Sequence, residues 1–206
     1  EEDMVYDQST GMIHVQGAPS QGKHFAEMAF AAYTAHNIPA GIEPGLEMTS
    51  FYDPLNFTFP NSAHMAQVEI SRETGEVSIQ RYVAVDDVGN VINPMIVEGQ
   101  IQGGIVQGIG QALTEAAVYD SHGQLLSGSM MDYAMPKAKL FPMFEVDRTV
   151  TPSPVNPLGV KGAGEMGTIA ATPAIVNAVM DALSPLGIKH LEMPLTAHKL
   201  WHAIQD

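Results

Sequence analysis

The chain has 206 residues, enough for one large domain or two small ones with a genuine core. With 45% hydrophobic and 16% charged residues it is globular, and a net charge of −14 repels phosphate, which argues against a nucleic-acid partner. The absence of cysteine excludes disulfides, thiolate metal sites and an iron–sulfur cluster ligated by this chain.

No basic-then-apolar leader opens the sequence and no apolar run reads as long enough to span a bilayer, so a soluble, cytoplasmic protein is expected. The charge density is below the roughly 25% of an average domain. That deficit fits either a compact core or a surface covered by other protein.

Residues Met4–Asp7 and Met12–Val15 alternate around a Ser9-Thr10-Gly11 turn and predict a hairpin. The alanine-rich run His24–His36, with Phe25, Met28, Ala29 and Ala32 on one side, predicts a helix ended by Asn37 and Pro39. Residues 40–62 read as a long loop. A second hairpin is expected from Ala63–Ser71 and Glu76–Asp86 across Arg72-Glu73-Thr74-Gly75. A long helix follows over about Pro94–Ala117, then a turn at 121–123 and a strand at Phe144–Val150. Thr172 as N-cap and Pro173 at the first helical position predict a helix running to Leu183, and a short helix closes the chain at about Thr196–Ile204. Strands and helices without regular β-α-β alternation imply α+β, a mixed sheet with packed helices. The chain reads as one domain over 1–206, divisible at about 1–62 and 63–206.

The stretch from Glu98 to Gln111 contains five glycines inside a helical period, each unfavourable by about 1 kcal/mol relative to alanine. At about 100° per residue, Gln100, Gln107 and Gln111 share a face with Gly104, flanked by Gly99, Gly103 and Gly110. Ile101, Ile105, Ile109, Ala112 and Leu113 occupy the other face. The pattern fits tight helix packing through a glycine stripe. It equally fits a flat polar ligand lying on bare backbone, because each glutamine amide both donates and accepts.

A second glycine-rich segment runs from Pro157 to Thr168 and holds a literal G-x-G-x-x-G at Gly162, Gly164 and Gly167. Its setting is wrong for a dinucleotide fingerprint, since a Pro/Asn/Gly loop rather than an apolar strand precedes it. What stands out is a lone carboxylate, Glu165, among glycines with Lys161 four residues earlier. A solvated surface turn is one reading; an active-site loop that lets a ligand approach its backbone is the other. The eight histidines read as scattered surface or core residues without metal-ligand spacing.

Lys161-Gly162-Ala163-Gly164-Glu165, followed within a few residues by a helix, is similar to the catalytic-glutamate motif of the xanthine dehydrogenase, aldehyde oxidase and aerobic carbon monoxide dehydrogenase family. Gly99-Gln100-Ile101-Gln102-Gly103-Gly104 with Gln107-Gly108 resembles that family's cofactor-binding segment. The likeness also covers Glu43-Pro-Gly-Leu-Glu, Phe51-Tyr-Asp-Pro, Tyr82–Ile92 with Asn93-Pro94, Met131-Asp-Tyr-Ala, and Thr151-Pro-Ser-Pro through Pro157-Leu-Gly. It runs from about residue 40 to the C-terminus and looks nearest to the carbon monoxide dehydrogenase-like large subunits. It corresponds to about the last quarter of such a subunit, so an excised domain or half of a split subunit is expected. The family's upstream loops, including the one carrying a copper-binding cysteine, have no counterpart here. Val88 stands where relatives often have Cys, and Gln102 where they have His or Glu.

The resemblance implies a C-terminal molybdenum-cofactor-binding domain in which Glu165 is the catalytic base, accepting a proton as water-derived oxygen attacks an aldehyde, N-heterocycle or carbon monoxide. Gln100, Gln102, Gly103, Gly104 and Gln107 would contact the molybdopterin, of dinucleotide form, with backbone donors from Gly162, Ala163 and Gly164. Lys161 would neutralise cofactor phosphate or stabilise the loop. Iron–sulfur clusters and FAD would sit on partner subunits or domains, beside the remainder of the large subunit. The isolated chain would be inactive. Two other readings are a structural or interaction module of a multisubunit oxidoreductase and a nucleotide-binding enzyme using residues 162–167.

Overall fold

A computed structural model describes residues 3–205. The chain packs as two compact units that divide between Asp53 and Pro54. This lies earlier than the expected 62/63 division because Thr58 and Pro60 lie beside Gly162, in the body of the second unit.

The first unit holds the predicted hairpin, β1 (Met4–Asp7) and β2 (Met12–Val15), with β3 (Lys23–His24) pairing on β2, and then α1 (Phe25–Thr34). The Asp7 side chain accepts from Thr10 Oγ1 at 2.6 Å and from Ser9 Oγ and N at 2.7 and 2.9 Å, closing the turn. Those bonds, Thr10 first, hold its carboxyl down at about 2. No residue of α1 is buried: Phe30 and Tyr33 are largely exposed.

In the second unit, β4 (Asn61–Ile70) pairs antiparallel with β5 (Val77–Asp87), which pairs parallel with β6 (Glu145–Thr149). The sheet is thus mixed, as α+β requires. Three helices accompany it: α2 (Pro94–Leu113), α3 (Met166–Leu183) and α4 (Ala197–Gln205). α3 is central, packing against α2 and against β4. The core joins Tyr82 and Ala84 of the sheet, Ile101, Ile105 and Ile109 of α2, and Ile175, Val179 and Leu183 of α3.

Two helix boundaries differ from expectation. α2 stops at Leu113 rather than Ala117 because the Ala112 carbonyl, which a further turn would use, accepts instead from Leu195 N at 2.7 Å. α3 begins at Met166, not Pro173, which lies inside it. Thr172 does not cap a helix; its hydroxyl reaches the Gly108 carbonyl of α2 at 3.2 Å. The residues Met166–Leu186 also prove long and apolar enough to cross a bilayer by length and composition, contrary to the sequence expectation. Here α3 buries a stripe of Met166, Ala171, Ile175, Val179 and Leu183 in the core.

The glycine stripe of α2 divides into two roles. A Cβ on Gly104 would lie 2.8 Å from Thr168 N, one on Gly108 2.6 Å from the Ala171 Cβ, and one on Gly167 against the Ile101 carbonyl. These three glycines let the helix backbones touch. Gly99 and Gly103 have nothing within 4 Å of the same position. Gly108→Ala is expected to destabilise the chain by about 1–3 kcal/mol through overpacking, whereas Gly99→Ala should stabilise it by up to about 1 kcal/mol through helix propensity. Urea unfolding midpoints of the two variants must move in opposite directions.

Candidate functional site

The loop before α3 is tied to the end of β5. Lys161 N donates to the Val88 carbonyl at 2.8 Å, and Asn90 N and Ser153 N both donate to the Gly159 carbonyl at 3.0 Å. Asn156 brackets Val160, accepting from its N–H at 3.1 Å and donating to its carbonyl at 2.9 Å. Gly89 and Gly159 both have φ near +67°, and a Cβ on Gly89 would overlap the Gly159 carbonyl. Glycine is therefore required where strand and loop cross.

Asp87 anchors this crossing. Its Oδ1 accepts from Gly89 N at 2.8 Å and from Lys161 Nζ at 3.1 Å, and both side chains of the ion pair are over nine-tenths buried. The Thr151 hydroxyl, above all, holds the Asp87 carboxyl below the usual carboxylate range, with Gly89 N–H and Lys161 adding to it against the opposing effect of burial. Lys161 is thereby committed to Asp87, which favours loop stabilisation over neutralising a cofactor phosphate.

Beyond this anchor the chain opens. Gly162, Gly164 and Glu165 are exposed, and Glu165 occupies the N-cap position of α3. Its carbonyl accepts from Thr168 N and Ile169 N at 3.0 and 3.1 Å, but its carboxylate makes no cap hydrogen bond. Gly164 lies against α2: a Cβ there would stand 3.8 Å from Gln100 Nε2.

Gln100, Gly103, Gln107 and Gln111 line one exposed face of α2. Thr168 Oγ1 lies 3.0 Å from the Gly104 carbonyl and 3.2 Å from the Gln107 amide; one turn on, Thr172 Oγ1 lies 3.2 Å from the Gly108 carbonyl and 3.0 Å from the Gln111 amide. One hydroxyl proton cannot serve both neighbours. Each threonine hydroxyl is placed to donate to the glycine carbonyl or to the glutamine Oε1. The Oε1 atoms of Gln107 and Gln111 face the α3 threonines, which leaves their amide NH2 groups directed away from those hydroxyls. A shallow depression lined by Gln107, Gln111, Glu115 and Tyr133 borders them.

Two residues expected as cofactor contacts do not share this exposed face. Gly104 is covered by α3. Gln102 is half-buried away from the Gln100 face and donates to Glu98 at 3.0 Å. The sequence reading missed Asp87, Asn156 and Thr168 as supports of this surface and took Thr172 for a helix cap. The matching four-residue spacings of Gly104/Gly108, Gln107/Gln111 and Thr168/Thr172 could have revealed the threonines.

A family model described as "Molybdopterin cofactor-binding domain" matches residues 1–142. The carbon monoxide dehydrogenase large chain of Hydrogenophaga pseudoflava is 42% identical over 200 residues, 97% of this chain and 25% of that protein. The nicotine 6-hydroxylase large subunit of Paenarthrobacter nicotinovorans is 44% identical over 204 residues, 98% of this chain and 25% of that protein. Among solved structures, a Cu,Mo-CO dehydrogenase in its carbon monoxide reduced state superposes with a TM-score of 0.87 at 39% identity, over 99% of this chain and 25% of that one. The chain spans about a quarter of the length of the relatives it matches.

Removing one partner of a buried pair leaves an uncompensated charge, so Lys161→Met is expected to destabilise the chain by about 3 kcal/mol. Asp87 has a depressed folded pKa, so its contribution is complete above the unfolded value of 3.8 and is lost as pH falls from about 4 downward. Urea titrations between pH 3 and 6 should show that acid loss in wild type and a flatter profile in Asp87→Asn.

Proposed function

The chain belongs to the molybdopterin cofactor-binding domain family, and we propose that it is part of a molybdenum hydroxylase large subunit in which Glu165 is the general base. The observation that carries this reading is the meeting of two features. An exposed carboxylate without a capping bond follows a glycine loop, and that loop lies against the amide-bearing face of α2. A group shaped like a pterin fits such a surface, because Gly99 and Gly103 leave bare backbone and the glutamines offer paired donors and acceptors.

Gln100, Gly103 and Gln107 would hold the molybdopterin, of dinucleotide form, with backbone N–H groups of Gly162, Ala163 and Gly164 as further donors. When bound, that group supplies the redox and oxygen-transfer chemistry. Glu165 would accept the proton released as water-derived oxygen reaches the substrate, a step worth about 10²–10⁴ in rate. Thr168 and Thr172 hold the amides of Gln107 and Gln111, and the Asp87–Lys161 pair holds the loop that ends at Glu165.

The substrate is proposed by class: an aldehyde, an N-heterocycle or carbon monoxide. The names of the relatives, a carbon monoxide dehydrogenase and a nicotine hydroxylase, favour the last two. With no cysteine in this chain, iron–sulfur clusters belong to partner subunits or domains, together with FAD. A cytoplasmic location follows from the same reading. The isolated chain is proposed to be inactive and to hold no molybdenum. Molybdenum and pterin analysis of the purified chain checks this.

In the complete enzyme, Glu165→Gln is expected to lower turnover by at least about 10²-fold while molybdenum content stays near that of wild type. Retained turnover would remove Glu165 as the base. Gly103→Ala supplies an independent test of the cofactor face. It fills open space, so fold stability should hold or rise while molybdopterin content falls; full cofactor content in that variant would place the cofactor elsewhere.

A further inference from the structure

The C-terminal helix α4 carries a pair of imidazoles outside the Glu165 surface. His198 and His202 are one turn apart, both exposed, with their Nε2 atoms 3.1 Å from each other and ring centroids 4.4 Å apart. On the helix expected over this segment, the two histidines stand in an i, i+4 relation.

We propose that His198 and His202 form a binding site for a divalent transition-metal ion of the zinc, nickel or copper class. With metal–nitrogen bonds of about 2.0–2.1 Å, two imidazole nitrogens on one ion stand about 2.9 Å apart at a right angle and about 3.3 Å apart in a tetrahedron. The observed 3.1 Å falls between these values. Without a metal, this contact requires one ring to donate its Nε2–H to the other. A metal replaces that shared proton once both rings carry their hydrogen on Nδ1.

The helix beneath the pair is held from several sides, so little order need be gained on binding. Leu200 is buried in the core, and Ile204 packs against it. Lys199 Nζ donates to the Glu192 carbonyl at 2.8 Å, and Lys199 N to Thr196 Oγ1 at 3.4 Å. The Gly75 turn presses on the backbone of Ala197 and Trp201. The Trp201 ring stands edge-on to His202, centroids 4.9 Å apart. Two nitrogen donors select imidazole-preferring metals over magnesium or calcium, which take oxygen. The net charge of −14 favours any cation near the surface. Among the described residues no third histidine or carboxylate completes the set, so water would fill the remaining positions and the ion would exchange readily. A bound ion would tie one helical turn together and resist fraying of α4.

The test is calorimetric titration of chelator-treated full chain with nickel and with zinc chloride, followed by hydrogen exchange of the α4 amides. One saturable ion per chain is expected, together with slower exchange in residues 197–205. Both effects should be lost in His198→Ala and in His202→Ala, and kept in His122→Ala, which alters an exposed histidine on a separate turn. Circular dichroism of each variant establishes that the helix content is intact. The proposal is overturned if wild type shows no saturable binding, or if binding persists in both α4 variants. Neither result bears on the role of Glu165.

Discussion

The second unit depends on how closely α2 and α3 approach. Gly104 and Gly108 on one helix and Gly167 on the other remove the side chains that would hold two helices at their ordinary separation of 8–10 Å. The apolar residues alone would not require this, since Ile101, Ile105 and Ile109 could be buried at a normal spacing. What the close contact adds is polar. Thr168 and Thr172 reach backbone carbonyls of the neighbouring helix and, at the same time, the amides of Gln107 and Gln111. Packing and site therefore share the same atoms. The glycines that weaken α2 as an isolated helix make it usable as one wall of a polar surface.

A second constraint lies at the end of β5, where two adjacent carboxylates are buried in different ways. Asp87 has a cation and donors, and those bonds fasten the Glu165 loop. Asp86 faces the opposite side of the strand. Its Oδ1 lies 2.5 Å from Ser62 Oγ and 3.4 Å from His64 Nε2, while His64 Nδ1 lies 2.9 Å from the Tyr82 hydroxyl. Its Oδ2 is buried without a hydrogen-bond partner in the described structure. Burial first, and the Asp86 charge second, push the Tyr82 hydroxyl upward, so this tyrosine stays protonated. Such a network has more to lose from a single substitution than an apolar core, and it fixes the register of β4 on β5 at the end nearest the loop.

Much of this was legible in the sequence where local chemistry and tertiary need agreed. The first hairpin, the β4–β5 hairpin and the start of α2 follow alternation, turn residues and the Asn93-Pro94 cap. The start of α3 was not legible. Thr172-Pro173 is a strong local start signal, and it lost because Gly167 gains a backbone contact with Ile101 that no local rule anticipates. The end of α2 was missed for a similar reason, since Leu195, far along the chain, takes the Ala112 carbonyl. Within the site, periodicity put Gln100, Gln107 and Gln111 on one face but could not distinguish Gly104, covered by α3, from Gly103, left open. Partner choice was equally hidden, because nothing near Lys161 in sequence names Asp87.

The exposed apolar residues complete the physical picture. Met48, Phe51, Leu55 and Phe57 between α1 and β4, and Met131 and Met143 in the segment after α2, are all more than four-fifths exposed. Single exposed apolar residues need no explanation, but this many in one small chain of low charge density do. Relatives that are four times longer supply the reason: the chain matches a quarter of each. On the proposed reading, the surface that water meets here is interior in the whole subunit. The same argument applies to Glu165, whose carboxylate stands in solvent in this chain. On the proposed reading, its proton-accepting role would call for a more enclosed site, supplied by the part of a longer subunit outside this chain.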